Sequence, residues 1–421
     1  MSTEAAPPPE VQAAEHGVPE SAEIDEPTTL AGFVSRWWSN VRGGDLGSLP
    51  IVFGIIAIAI YFQYRNDQFL TAGNFVNLLG QLAPFAVIGM GIVFVLLLGE
   101  IDLSVGFVSG VGGVIVALLL QPDGNEVSTP VAIILGLSAG LTIGLIQGTL
   151  FAKVGIPSFV VTLAGLLAWN GVVLLLIGDA GTVTIQNAFV NGIANDFLPH
   201  GTAWLVLEGA VALYALIQIL AARRRAKAGL PHAPASIIAL RVGGLALAAA
   251  AVVYVANQNR GVPYVAILLL ALLVFWTYIA ERTRFGRHIY AVGGNVEASR
   301  RAGIRIDWIR IAVFGISGFM AAMGGIILAS RLSSVDTNAG GGSILLYSIA
   351  AAVIGGTSLF GGRGTVKSAV LGAIVIAMID NGLGLLNVSA GTKFIVTGLV
   401  LLAAVTVDSL ARRRSAATGR A

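Results

Sequence analysis

Cysteine is absent from the 421 residues, and only four histidines are present. Disulfides, thiolate metal sites and cysteine catalysis are therefore excluded. Charge is scarce as well. Asp, Glu, Lys and Arg make up 11% of the chain, well under the roughly one quarter usual in soluble domains. The first 35 residues contain no Lys or Arg, which argues against a signal peptide, since that needs a basic leading region. The long apolar stretches show no polar and apolar alternation, so a membrane β-barrel is not indicated. The sequence pI of about 9.3 comes from arginines in the connections between apolar runs, and no nucleic-acid binding is expected from it.

What the chain has in abundance is hydrophobic sequence: 56% of residues, with a mean hydropathy of +0.85. Several runs reach the roughly 20 residues that cross a bilayer as a helix. Helices are the economical solution, because an unpaired backbone group in hydrocarbon costs several kcal/mol. The fold class expected is an all-α polytopic membrane protein of about 10–12 transmembrane helices. Candidate spans lie near 49–64, 75–98, 103–121, 129–152, 157–178, 201–222, 237–256, 262–281, 307–330, 343–361, 365–388 and 391–409. The run at 343–361 opens in glycines and also fits a re-entrant hairpin.

Basic residues tend to stay on the cytoplasmic side. With both termini inside, about 20 of the 25 Lys and Arg residues are cytoplasmic, leaving Arg65, Arg260, Arg331 and Lys393 outside. Residues 1–29 form an expected disordered tail, acidic and proline-bearing. Residues 30–44 read as an amphipathic segment in the lipid headgroup region. The permeation domain is expected over 45–410, with a cytoplasmic loop at about 282–307, and 411–421 as a basic cytoplasmic tail. The location expected is the plasma membrane.

Two stripes of small residues stand out. Gly136, Gly140, Gly144 and Gly148 fall on one face of the fourth span, and Gly315, Gly318, Ala322 and Gly325 on one face of the ninth. Such faces let backbones approach closely. Ionisable residues in the spans are few, as expected when each costs roughly 2.5–3.5 kcal/mol at a helix centre. Glu100, Asp102, Glu208 and Asp380 are a poor set for an ion-coupled carrier. Gln81, Trp169, Asn170, Asn381 and Asn387 are candidates to line a path for an uncharged polar solute.

The stretch 281–308, ERTRFGRHIYAVGGNVEASRRAGIRIDW, predicts a docking element. Asn295 suits a helix N-cap, Glu297 the positive end, Arg300 and Arg301 the negative end, and Gly303 the stop. A helix of one or two turns is expected, with Gly293 and Gly294 before it. Glu297, Ala298 and Ser299 followed by Gly303 resemble the EAA-x-x-x-G coupling loop of ABC importer permeases, with Ser299 in place of the usual second alanine. GEIDLSVG at 99–106, YAVGGNVEASRRAGI at 290–304 and GGTSLFGGRGTVKSAVLGA at 355–373 are similar to permease subunits of the ribose, galactose and xylose ABC importers. Glu100 stands where many of these have glycine, and Asp102 and Ser104 remain able to cap the next helix. The longer layout, with an additional stretch at about 201–256 and NGLGLLNVSA at 381–390, resembles the xylose permease most.

This resemblance implies several partners. ATP and Mg²⁺ would be used by a separate ABC ATPase subunit docking at Asn295, Glu297, Ala298, Ser299 and Gly303, with no cofactor bound by this chain. An extracytoplasmic sugar-binding protein would deliver a monosaccharide, first D-xylose, to a permease homodimer working by alternating access. The run 361–368 superficially evokes a phosphate loop, but Val366 stands where glycine is needed before the lysine. Other solutes of related permeases, another sugar or a branched-chain amino acid, stay open. More distant alternatives are an ion-coupled secondary transporter and a membrane scaffold that moves nothing.

Overall fold

The computed structural model describes residues 49–122, 127–230 and 232–417, with Gly32 and Ser35 as isolated positions. The expected tail at 1–29 lies outside the described residues, as does the 30–44 segment apart from those two positions. In the first part of the chain come α1 (Leu49–Arg65), α2 (Ala72–Leu97), α3 (Val105–Leu119), α4 (Thr129–Thr149) and α5 (Ser158–Ile177). A short strand β1 (Thr182–Thr184) and α6 (Ala188–Asn195) lead to α7 (His200–Lys227), α8 (Ala235–Asn257) and α9 (Tyr264–Arg282). Then follow α10 (Arg284–Gly294), α11 (Val296–Arg301), α12 (Ile306–Leu332), β2 (Ser334–Asp336), α13 (Ile344–Ile354), α14 (Val366–Leu385) and α15 (Ala390–Ala417).

Each of the twelve apolar runs is a helix. Eight of these helices, α2, α4, α5, α7, α8, α9, α12 and α14, are long and apolar enough to cross a membrane. The chain is thus an all-α, multi-pass membrane protein. The apolar parts of α1, α3, α13 and α15 are shorter. Helix α15 continues to Ala417, so the backbone of 411–417 extends the last helix.

The chain divides into two compact units. The larger comprises Leu46–Glu208 and Ala248–Ala421; the described part of the other is Gly209–Leu247, the end of α7 and the start of α8. Within the larger unit, α2, α12 and α14 are enclosed over 78%, 67% and 61% of their most apolar stretches, whereas α4, α5 and α9 reach 28% at most. The first three are therefore its interior, and α4, α5 and α9 offer much of their apolar surface to lipid.

The two small-residue stripes face each other. A Cβ on Gly140 would meet the Gly318 carbonyl and the Ala322 methyl, and one on Gly144 would meet the Phe314 carbonyl. Only glycine lets α4 and α12 come this close, replacing side-chain packing by backbone contact.

Helices α3 and α13 stop short. Their 15 and 11 residues span about 22 and 16 Å, less than the roughly 30 Å of hydrocarbon. Each follows non-helical chain, 98–104 and 337–343, and the segment before α13 folds back so that the Ala339 and Gly340 carbonyls lie against Gly110 and Gly106 of α3. Antiparallel pairing of β1 and β2, with Val183 opposite Val335, holds the start of that return. Irregular backbone at this depth is tolerated because protein surrounds it.

Candidate coupling surface and translocation path

The segment expected to dock is built as two short helices in tandem. Thr283 caps α10, its Oγ1 accepting from Gly286 N at 3.2 Å. Asn295 is extended (φ −157°, ψ 105°) and its Oδ1 accepts from Ala298 N at 2.9 Å. Gly303 closes α11 in the left-handed region at φ +78°. Its N–H donates to Arg300 O, and Ile304 N donates to Ser299 O, satisfying carbonyls the helix leaves open. Ser299 faces inward and is buried, while Glu297, Ala298, Arg300 and Arg301 are exposed. Glu297 lies 3.3 Å from Arg300 and 3.4 Å from Arg301. Six helical residues are too few for stability in water, and here Val296 and Ser299 anchor the inner side against the protein.

Several contacts tie this element to the membrane helices. Tyr290 Oη donates to Gly364 O at 2.8 Å. Burial, with the Glu281 carboxylate adding to it, pushes the Tyr290 hydroxyl above its ordinary pKa and so keeps the proton for that bond. Lys367 Nζ is 3.2 Å from Glu281 Oε1, so the lysine of the phosphate-loop look-alike has a structural partner. The Leu97 carbonyl, at the end of α2, accepts from Gly362 N at 2.9 Å and lies against Gly293. Helix α10, the end of α2 and the turn before α14 thus meet at one point.

From that point residues 98–104 lead into a buried polar node. Asp102 Oδ1 accepts from Ser104 N (3.0 Å) and Ser104 Oγ (2.6 Å), and its Oδ2 accepts from Ser317 Oγ of α12 at 2.8 Å. Ser104 Oγ also lies 2.9 Å from Gln147 Oε1 of α4. One hydroxyl has one hydrogen to donate, and it goes to the Asp102 carboxylate. Exchanging oxygen and nitrogen of the Gln147 amide, an orientation that the hydrogen-bond network decides, gives its otherwise unpartnered Nε2 an acceptor in Ser104. Glu100 is held separately, its Oε2 accepting from Ser158 Oγ of α5 at 2.6 Å. The motif residues Glu100, Asp102 and Ser104 therefore bind the 98–104 connection to α5, α12 and α4.

The five path candidates occupy different settings. Asn381 of α14 forms a reciprocal pair with Asn74 of α2, both bonds at 2.9 Å. Asn387 is exposed with φ +55°, its N–H donating to Gly384 O, and so terminates α14. Gln81 Oε1 and Trp169 Nε1 are buried without a hydrogen-bond partner among the described residues, and Asn170 is half-buried beside Trp169 on α5. No hydrogen bond joins these five to one another. Asn74, Ser158 and Ser317 were missed by sequence reasoning. Ser317 sits inside the small-residue stripe of α12, where its small size hides its polarity, and Asn74 stands ahead of the expected second span.

A permease family described as the branched-chain amino acid transport system / permease component matches residues 74–405. The chain belongs to this family. Among its relatives, the permease is 39% identical over 389 residues to the xylose transport system permease protein of Escherichia coli K12, covering 92% of this chain and 98% of the relative. It is 34% identical to the Haemophilus influenzae protein of the same description, over 87% and 98% of the two chains. To the ribose import permease protein of E. coli K12 the permease is 32% identical over 84% of its own length and 91% of the relative's. No solved structure matches the permease.

Proposed function

We propose that this permease is the transmembrane subunit of an ATP-driven importer that carries a monosaccharide, D-xylose first, into the cytoplasm. The carrying observation is the 39% identity to a xylose permease over nearly the whole of both chains. A separate ATPase, which alone uses ATP and Mg²⁺, docks on the exposed side of α11 at Glu297, Ala298 and the neighbouring arginines. An extracytoplasmic binding protein delivers the sugar to a dimer of permease chains, and both termini lie in the cytoplasm.

Closure of the ATPase moves α10 and α11, and the contacts at Leu97, Gly362 and Gly364 pass that displacement to α2 and α14. The 98–104 connection carries it to α12 and α4 through Asp102, and the glycine-lined crossing of those helices permits small slides without side-chain repacking. The cycle needs the binding protein and the ATPase to favour different states, since equal affinity for both shifts nothing. Ribose is the second reading, supported by the 32% identity to a ribose permease.

The test is uptake of labelled xylose, ribose and leucine into proteoliposomes holding the permease, its ATPase and its binding protein, with and without ATP. ATP-dependent xylose uptake is expected. Ribose or leucine uptake in its place replaces the substrate, and uptake by this chain alone under an ion gradient overturns the mechanism.

A further inference from the structure

The hairpin of α7 and α8 has chemistry that neither docking nor the polar node uses. Residues 209–247 carry Arg223, Arg224, Arg225, Lys227 and Arg241 and no acidic residue. Arg223, Arg224 and Lys227 are exposed, and their side chains form no hydrogen bond or ion pair with a described residue. Between the two helices lies a groove with a volume of about 460 Å³. Ala222 and Ala226 line it from α7, Ala235 and Ala239 from α8, and Arg223 and His232 line it as well.

The position of the cations along α7 matters. Its 28 residues extend about 42 Å, against roughly 30 Å of hydrocarbon. The last turns, which hold the cations, therefore reach the headgroup level, while Ala215 and Ile219 of α7 and Val242 of α8 carry the apolar walls back toward the acyl chains. A ligand that satisfies both parts must be anionic at one end and apolar along its length.

We infer that this groove holds one anionic phospholipid, its phosphate among Arg223, Arg224 and Lys227 and an acyl chain along the apolar walls that lead back to Ala215, Ile219 and Val242. A free phosphate satisfies only the cations, and an acidic protein segment brings no long unbranched chain for the alanine walls. The site is independent of the transported solute.

Native mass spectrometry of the detergent-purified full-length permease tests this, with phosphatidylglycerol, phosphatidylcholine and glycerol 3-phosphate as probes. Phosphatidylglycerol is expected to be retained as a single adduct, phosphatidylcholine is not, and glycerol 3-phosphate does not displace the adduct at matched concentration. Arg223→Gln, Arg224→Gln and Lys227→Gln each weaken retention about fivefold, whereas Arg65→Gln does not. Ala222→Phe with Ala239→Phe keeps every cation, fills the groove and also reduces retention. Equal retention of the two lipids overturns the site. So does retention unchanged by the cation variants, retention unchanged by the filled groove, or displacement by glycerol 3-phosphate. The cation variants alter exposed side chains only, so they stay informative if the filled groove impairs folding.

Discussion

Asp102 shows how much one carboxylate can organise. Three donors converge on its two oxygens, two from Ser104 and one from Ser317 of α12, at a buried position. Ser317→Ala removes the partner of Oδ2 and leaves a buried acceptor unsatisfied, at a cost of about 1–3 kcal/mol. A lower melting temperature in detergent is the expected result, and an unchanged one means that the hydroxyl is not holding α12 to Asp102. Glu297 is the opposite case. Its partners are 65% and 80% exposed, and such pairs contribute at most about 1 kcal/mol. Glu297→Ala is expected to leave melting unchanged while lowering stimulation of the partner ATPase by the permease. Intact stimulation would remove the docking role from α11.

At the scale of elements, the crossing of α4 and α12 is set by the absence of side chains. A methyl at position 144 would lie against the Phe314 carbonyl, which belongs to a helix that cannot move alone. Gly144→Ala is expected to destabilise by about 1–3 kcal/mol and to reduce ATP-dependent uptake, whereas Gly155→Ala, at a left-handed position with open space around it, should affect stability without touching the crossing. Comparing melting temperature with uptake for the two variants separates the effects. Helix α11 was legible in sequence because caps are local: Asn295, Glu297 and Gly303 each act within four residues. The twelve apolar runs were legible because hydropathy is a property of the run itself. The run at 343–361 announced its difficulty through its glycines, and its helix is only 11 residues long. What sequence did not reveal is pairing. Asn74 meets Asn381 across 307 positions and Asp102 meets Ser317 across 215, and nothing in either local pattern names the partner. The two glycine stripes were each visible, but their meeting is a tertiary fact. The second short helix, α10, was missed because its apolar face is only three or four residues of a basic segment.

For the molecule as a whole, the lack of cysteine makes its orientation directly measurable. Single replacements Ala298→Cys and Gln258→Cys, both at exposed positions, give proteins with one thiol each. A membrane-impermeant maleimide applied to intact cells is expected to label position 258 and to reach position 298 only after the membrane is opened. Labelling of both from the same side would break the assignment of sides from basic residues. The hairpin of α7 and α8 has a consequence here that concerns counting rather than chemistry. Both helices are long enough to cross, so together they leave the chain on the side from which it started. A pair of crossings can be gained or lost without inverting anything downstream, and α11 stays on its own face of the membrane either way. A single added span would have put α11 on the opposite face, away from the ATPase proposed to dock there, so an insertion at this place has to come in twos to keep that proposal intact.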